Sequence, residues 1–287
     1  MTPLPFSLPA VLSLDALRAS RELTLVQIYD QYPTQAARAA CVLSREVRPE
    51  RPVVVLAELE ADGLTADQWA PDALLALFEG VGASALILAC PADPDRLSVV
   101  LRELVPYAAV PLGVCVPSGM EDELAPRVTP AQLLIALDDD SLAALQAAAE
   151  RLDYFAPLPA PEDHEDERER PLRAVTSGQT FDVDSAIDID AECDLDDEDI
   201  DFSRWLLDQE EDNWGAVRLR VSSPDDLALF DAHQYMLRVP VALAGDDPAV
   251  FEQALRRFCG IALYDGTSDF DAELLERLHR KYGLIIL

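Results

Sequence analysis

Short, almost continuously apolar runs recur along this chain, spaced so that one helix fits between each pair. LTLVQIYD (23–30) is followed by the amphipathic TQAARAACVLSREV, and PVVVLAEL (52–59) by TADQWAPDALLALFEGVG. ALILAC (85–90) precedes DPDRLSVVLRELVPY, PLGVCVP (111–117) comes next, and TPAQLLIALDDD and SLAALQAAAERL close the region. The rhythm resumes with AVRLRV (216–221), SPDDLALFDAH, VPVALA (239–244), DPAVFEQALRRFC, IALYDG (261–266), DFDAELLERLHRKYG and LIIL (284–287). Apolar strands separated by helices need a parallel sheet covered on both faces, because an exposed face would impose polar alternation. Asp and Ser directly after several strands suit the N-cap of the next helix. The expected class is α/β, with about eight or nine mostly parallel strands.

Composition removes many chemistries. Lys+Arg is 22 against Asp+Glu 54, a formal net charge of −32, which excludes general affinity for nucleic acid or an anionic membrane. Lys281, in RLHRKYG, is the single lysine, so a P-loop or Schiff-base lysine has no material. Three histidines (His164, His233, His279) lie far apart in sequence. Cys41, Cys90, Cys115, Cys193 and Cys259 include no CxxC pair and read as reduced thiols of a cytoplasmic protein. Prolines 3, 5 and 9 break up the N-terminal apolar residues, and no stretch approaches the roughly 18 apolar residues of a membrane span.

The acid is concentrated. Residues 161–213 hold 21 acidic and 4 basic side chains, which places over half the net charge in under a fifth of the chain. PLPAPEDHEDERERP reads as an extended, solvated connector. The expected organisation is a first half over 1–157, a linker over 158–180 and a second half over 181–287. Residues 161–170 are expected to be mobile, since they bury too little apolar area to order themselves.

With these runs in view, residues 24–153 resemble the later part of the homocysteine S-methyltransferase barrel of cobalamin-dependent methionine synthases. The likeness is carried by PVVVLAELEADGLTADQWAPDALLALFEGVGASALILACPADPDRLSVVLRELVPYAAVPLGVCVPSG, and by VTPAQ (128–132), similar to the Thr-Pro start of a family helix. Residues 172–287 resemble the methyltetrahydrofolate (pterin-binding) barrel that follows in those enzymes, through DIDFSRWLLDQEEDNWGAVRLRV, VPVALAGDDPAVFEQALRRFCGIALYDG and LLERLHRKYGLIIL. The resemblance implies a TIM-barrel-like architecture. Because the family's opening strands and closing units have no counterpart here, it implies two partial barrels, drawn as closing on each other.

The resemblance also says where chemistry should lie. The family activates homocysteine on a zinc held by three cysteine thiolates, and zinc affinity collapses without converging ligands. Cys90 fits the first position. The Gly-Gly-Cys-Cys-Gly turn is replaced by LLIALDDDS, with Leu137 and Asp138 where two cysteines stand in the family. Cys90 is therefore the metal candidate, with Cys115 and Asp138 as further candidates; the alternative is small apolar core cysteines. In the pterin half the family's Asp-x-Asn becomes RLRVSS, its next aspartate becomes Ala244, and Tyr264 or Asp265 stands near its asparagine. Asp246, Asp247 and Asp265 remain as a residual cofactor pocket or as helix N-caps. The expectation is a degenerate, non-catalytic methionine-synthase-like binding or partner module without a cofactor. A second copy of the chain or an intact paralogue is the expected partner. The alternative is a homocysteine S-methyltransferase with a rebuilt metal site around Cys90, and zinc, methyltetrahydrofolate or cobalamin enters only there.

Other motifs fall short. DIDAECDLDDED places Asp188, Asp190 and Glu192 at positions one, three and five of a calcium loop. Cys193 stands where glycine is required, however, and Asp199 where a bidentate glutamate belongs. HEDER (164–168) lacks the second histidine of HExxH, and EGVGASA has too few glycines for a dinucleotide fingerprint. Trp69, Trp205 and Trp214 are expected to pack cores.

Overall fold

The computed structural model describes residues 2–128, 130–152, 154, 172–183, 187–197, 201–212 and 215–287. The expected mobility of 161–170, the calcium-loop Asp199 and Trp214 fall outside them. The chain divides into two compact units, one of Met1–Pro33, Leu43–Pro71 and Ala83–Arg170, the other of Thr34–Val42, Asp72–Gly82 and Pro171–Leu287.

The elements through residue 151 are β1 (Ala10–Ser13), α1 (Leu14–Ala19), β2 (Thr24–Ile28), α2 (Thr34–Val47), β3 (Val53–Glu58) and α3 (Pro71–Gly80). They continue as β4 (Ala85–Ala89), α4 (Arg96–Leu104), β5 (Leu112–Val116), α5 (Glu121–Leu124), β6 (Leu133–Ala136) and α6 (Asp139–Arg151). All six strands form one parallel sheet in the order β1-β6-β5-β4-β3-β2. Strands β2 to β6 thus neighbour one another in sequence order, as successive right-handed βαβ units produce. The near-continuous apolar runs are explained by burial: every residue of β4, β5 and β6 is buried. Fully burying each Val, Leu or Ile contributes about 1.5–3 kcal/mol.

One face of this sheet forms a single apolar cluster of Val54, Leu56, Ala85, Ile87, Ala89, Cys115, Leu133 and Ile135, with Ala10 from β1. Leu14 and Leu17 of α1 join the same cluster, and Leu4 and Phe6 pack against it. The chain ahead of β2 therefore supplies apolar filling for the sheet's inner face. Ser13 caps α1, its hydroxyl accepting from Ala16 N at 3.1 Å.

The later elements are β7 (Leu172–Thr176), β8 (Gln179–Val183), β9 (Ala191–Asp194), α7 (Phe202–Asp212), β10 (Val217–Arg220) and α8 (Pro224–His233). After them come β11 (Val241–Ala244), α9 (Pro248–Arg257), β12 (Leu263–Tyr264), α10 (Ala272–Tyr282) and β13 (Ile285–Ile286). A second parallel sheet runs β13-β12-β11-β10-β9. The helices start where expected. Ser223 and Asp226 form a capping box on α8, and Asp247 and Asp271 cap α9 and α10.

Three features correct the expected picture. The described residues hold two separate open sheets, which accord with partial barrels, while the closing of the two into one barrel, drawn first from the sequence, is not among the strand pairings. They also hold more strands than eight or nine, because β1, the β7–β8 hairpin and β9 were not foreseen. The hairpin begins inside the expected linker. It turns on Ser177 and Gly178, both at positive φ (46° and 80°), which suits the right-handed twist of two antiparallel strands. β9 lies within the acidic run, read as a solvated segment, yet Cys193 at its centre is fully buried. Trp69 is buried and Trp205 half-buried. Among the described residues no helix is long and apolar enough to cross a membrane.

Candidate functional site

Parallel α/β sheets present their chemistry at the C-terminal ends of their strands, so those ends hold each expected site residue. Cys90 directly follows β4. It is buried, and its thiol donates to the Glu60 carbonyl at 3.4 Å. Burial pushes this thiol above its ordinary pKa. Cys115 is on β5, 2% exposed, and burial raises its thiol to about 12. The two strands are neighbours, with Leu88 opposite Val114. Cys115 belongs to the apolar cluster on one face of the sheet, whereas Cys90 lies beyond the end of β4 and is not part of it.

Asp138 follows β6 and is the N-cap of α6. Its Oδ1 accepts from Ser141 N at 2.7 Å and from the Ser141 hydroxyl at 2.8 Å. The Ser141 hydroxyl and then its N–H hold this carboxyl below the usual carboxylate range. Oδ1 is thus spent on the helix start. Among the described residues no group of three or more His, Cys, Asp or Glu side chains is arranged to hold a metal ion. The three-thiolate zinc of the resemblance does not fit these positions.

In the second sheet the three expected acids also separate. Asp247 is a cap, accepting from Ala249 N at 2.8 Å. Asp246 is 84% exposed and meets Arg220 Nη1 at 3.2 Å. Asp265, only 9% exposed, receives Arg218 through Nε at 2.7 Å and Nη2 at 2.5 Å, and Thr267 N at 3.1 Å. Burial alone would raise the Asp265 carboxyl, but the hydrogen bonds from Thr267 and Arg218 outweigh it and hold the carboxyl below its ordinary range.

Arg218 and Arg220 are the site residues that sequence reasoning missed. Both project from one face of β10, directly opposite Glu192 and Asp194 of β9 in register. Arg218 Nη1 reaches Glu192 at 2.8 Å. Arg220 lies 4.0 Å from both Glu192 and Asp194. Ala242 and Ala244 continue this face on β11, while Cys193, Val217, Leu219, Val241 and Leu243 line the opposite, fully buried one. The signal was available: AVRLRV alternates Arg with apolar residues among strands that are otherwise continuously apolar, and AECD offers acids at the same spacing. Each arginine is engaged by carboxylates of the same chain, so this charged ladder closes on itself.

No family model and no curated protein matches the chain. Among solved structures it is similar to the homocysteine methyltransferase MmuM from Escherichia coli in its apo form, at 20% identity and a TM-score of 0.38. The match covers 46% of this chain and 51% of that one, so the chain spans about half of that protein's length.

Proposed function

We propose that this chain is a non-catalytic protein on a homocysteine S-methyltransferase-like α/β framework, serving as a binding or partner module. The packing on the first sheet's inner face carries this reading. Leu14 and Leu17 of α1 cluster there with Ala89 and Cys115, close to the strand ends where a barrel enzyme would hold its substrate. The commitment of the strand-end groups supports it: Asp138 and Asp247 cap helices, and Asp265 is locked to Arg218. Five scattered cysteines with no CxxC pair suit a cytoplasmic location. A net charge of −32 directs the choice of partner away from polyanions, toward a second copy of the chain or an intact methionine-synthase paralogue.

One observation favours the alternative, a homocysteine S-methyltransferase rebuilt around Cys90: that residue is a thiol at a strand's C-terminal end, facing a loop carbonyl. Equilibrium dialysis against zinc, followed by calorimetric titration with homocysteine, separates the two. The non-catalytic reading expects well under one zinc per chain and no homocysteine heat. About one zinc per chain, lost in Cys90→Ser, would establish the alternative.

A further inference from the structure

The compact unit that contains Pro171–Leu287 also takes in two pieces of earlier sequence, Thr34–Val42 of α2 and Asp72–Gly82, which includes nearly all of α3. The buried residues of α2 are Thr34, Ala37, Arg38, Cys41 and Val42, a stripe at helical spacing that lies wholly inside this unit. Beyond it, Leu43 and Val47 of α2 are 54% and 66% exposed.

Three contacts inside the unit tie these two helices to the later sequence. The end of α9 makes one of them. The last four carbonyls of a helix have no partner within its regular ladder and need donors from elsewhere. In α9, Ala254 O accepts from Phe258 N at 2.8 Å, and Arg257 O accepts from Gln234 Nε2 at 3.1 Å. Leu255 O and Arg256 O, between them, accept from Nη2 and Nη1 of Arg38, each at 3.0 Å. Arg38 is 2% exposed, and its charge sits at the negative end of the α9 dipole. At the start of α3, Asp72 accepts from the Thr180 hydroxyl of β8. At the end of α3, an added Cβ on Gly80 would lie 2.5 Å from Ile261 Cδ1 and 3.5 Å from Gly283 Cα, so only a glycine enters this notch without displacing its wall. Ile261 is held in turn by the β7–β8 hairpin, its N–H donating to Val175 O at 2.9 Å.

We propose that residues 172–287 present a recognition surface for the α2–α3 segment of the same chain, and that the two stay joined when the chain between them is cut. The surface consists of the α9 carbonyls, the notch between Ile261 and Gly283, and the Thr180 hydroxyl. The partner it fits is a helix pair with a buried arginine, an acid in a first turn and a glycine at a helix end. An arginine that supplies donors to two helix-end carbonyls is costly to remove, because the carbonyls lose their partners while the rest of the helix stays packed.

A protease recognition sequence inserted after Ala160 allows the folded full-length chain to be cut there. Sedimentation of a dilution series then gives the dissociation constant of the two products. The expected result is that they sediment as one species with the mass of the uncut chain. Arg38→Leu, which removes both donors, should weaken their association at least about tenfold, as the loss of charge-assisted hydrogen bonds implies. Val47→Ala, on the exposed part of α2, should leave it unchanged. If Arg38→Leu does not fold, Thr180→Val takes its place, with an expected weakening of about threefold. Products that separate under native conditions would overturn the proposal. So would an association undiminished in the Arg38 variant (or in the Thr180 variant where that one stands in), or a loss in Val47→Ala as large as theirs.

Discussion

Arg218 and Asp265 lie 47 positions apart in sequence and meet because β10 and β12 flank β11 in one parallel sheet. With Arg218 20% and Asp265 9% exposed, this pair lies between a surface ion pair, worth under about 1 kcal/mol, and a fully buried one, whose half-removal costs about 3–5 kcal/mol. Asp265→Asn should therefore destabilise the protein by about 2–3 kcal/mol at pH 7, read from urea unfolding. The pH dependence follows from the direction of the Asp265 shift. A carboxyl held below its unfolded value of about 3.9 contributes stability that is complete above that value and is lost as pH falls through the lower folded one. The gap between wild type and Asp265→Asn should thus be constant from pH 7 to about 5 and narrow below about 4; a gap that widens on acidification would contradict the assignment. Asp265 was legible in sequence as an acid at a strand end, but its partner was not. Pairing an arginine on one strand with acids on another requires register, and register is invisible until the neighbouring strands are known.

At the scale of elements, the strands with continuous apolar runs were legible and the others were not. β2 through β5 and β10 through β13 coincide with runs such as VVVLA and VALA, whose burial on both faces is written in their composition. β1 escaped because its four residues follow a proline-rich start and its pairing partner, β6, lies more than a hundred residues away. β9 escaped because Glu192 and Asp194 read as solvated acid, when Arg218 and Arg220 across the ladder neutralise them. The ends of α3 and α10 show a further constraint that no periodicity predicts. Gly283, the C-cap of α10 at φ 76°, approaches Gly80 so closely that an added Cβ would lie 2.8 Å from the Gly80 Cα. Gly119 also has positive φ, 84°, but has nothing within 4 Å of an added Cβ. Gly119→Ala should therefore cost only the left-handed penalty of about 1 kcal/mol, whereas Gly283→Ala should cost about 2–4 kcal/mol by adding a backbone clash. Equal losses of stability in denaturant titrations would show that the close approach carries no energy.

For the whole molecule, the central claim is the proposed one, that the strand ends of this α/β chain are given over to its own packing. Methyl transfer to homocysteine needs a thiolate near pH 7, and a free thiol of pKa about 8.5 is only a few per cent ionised there. The candidate ligands supply no remedy: among the described residues Cys90, Cys115 and Asp138 form no metal-holding group, and Asp138 Oδ1 is bound to Ser141. In the sequence, the resemblance points to Leu137 and Asp138 at positions where the family pattern carries cysteines. It could not expose what fills the space, since Leu14 and Leu17 became inner-face residues only through the pairing of β1 with β6. The most direct test is to incubate the purified chain with zinc, homocysteine and methyltetrahydrofolate or methylcobalamin and quantify methionine by mass spectrometry. Methionine should remain at the level of a heat-denatured control with either donor. Zinc-dependent methionine formation above that control, abolished by Cys90→Ser, would contradict the account.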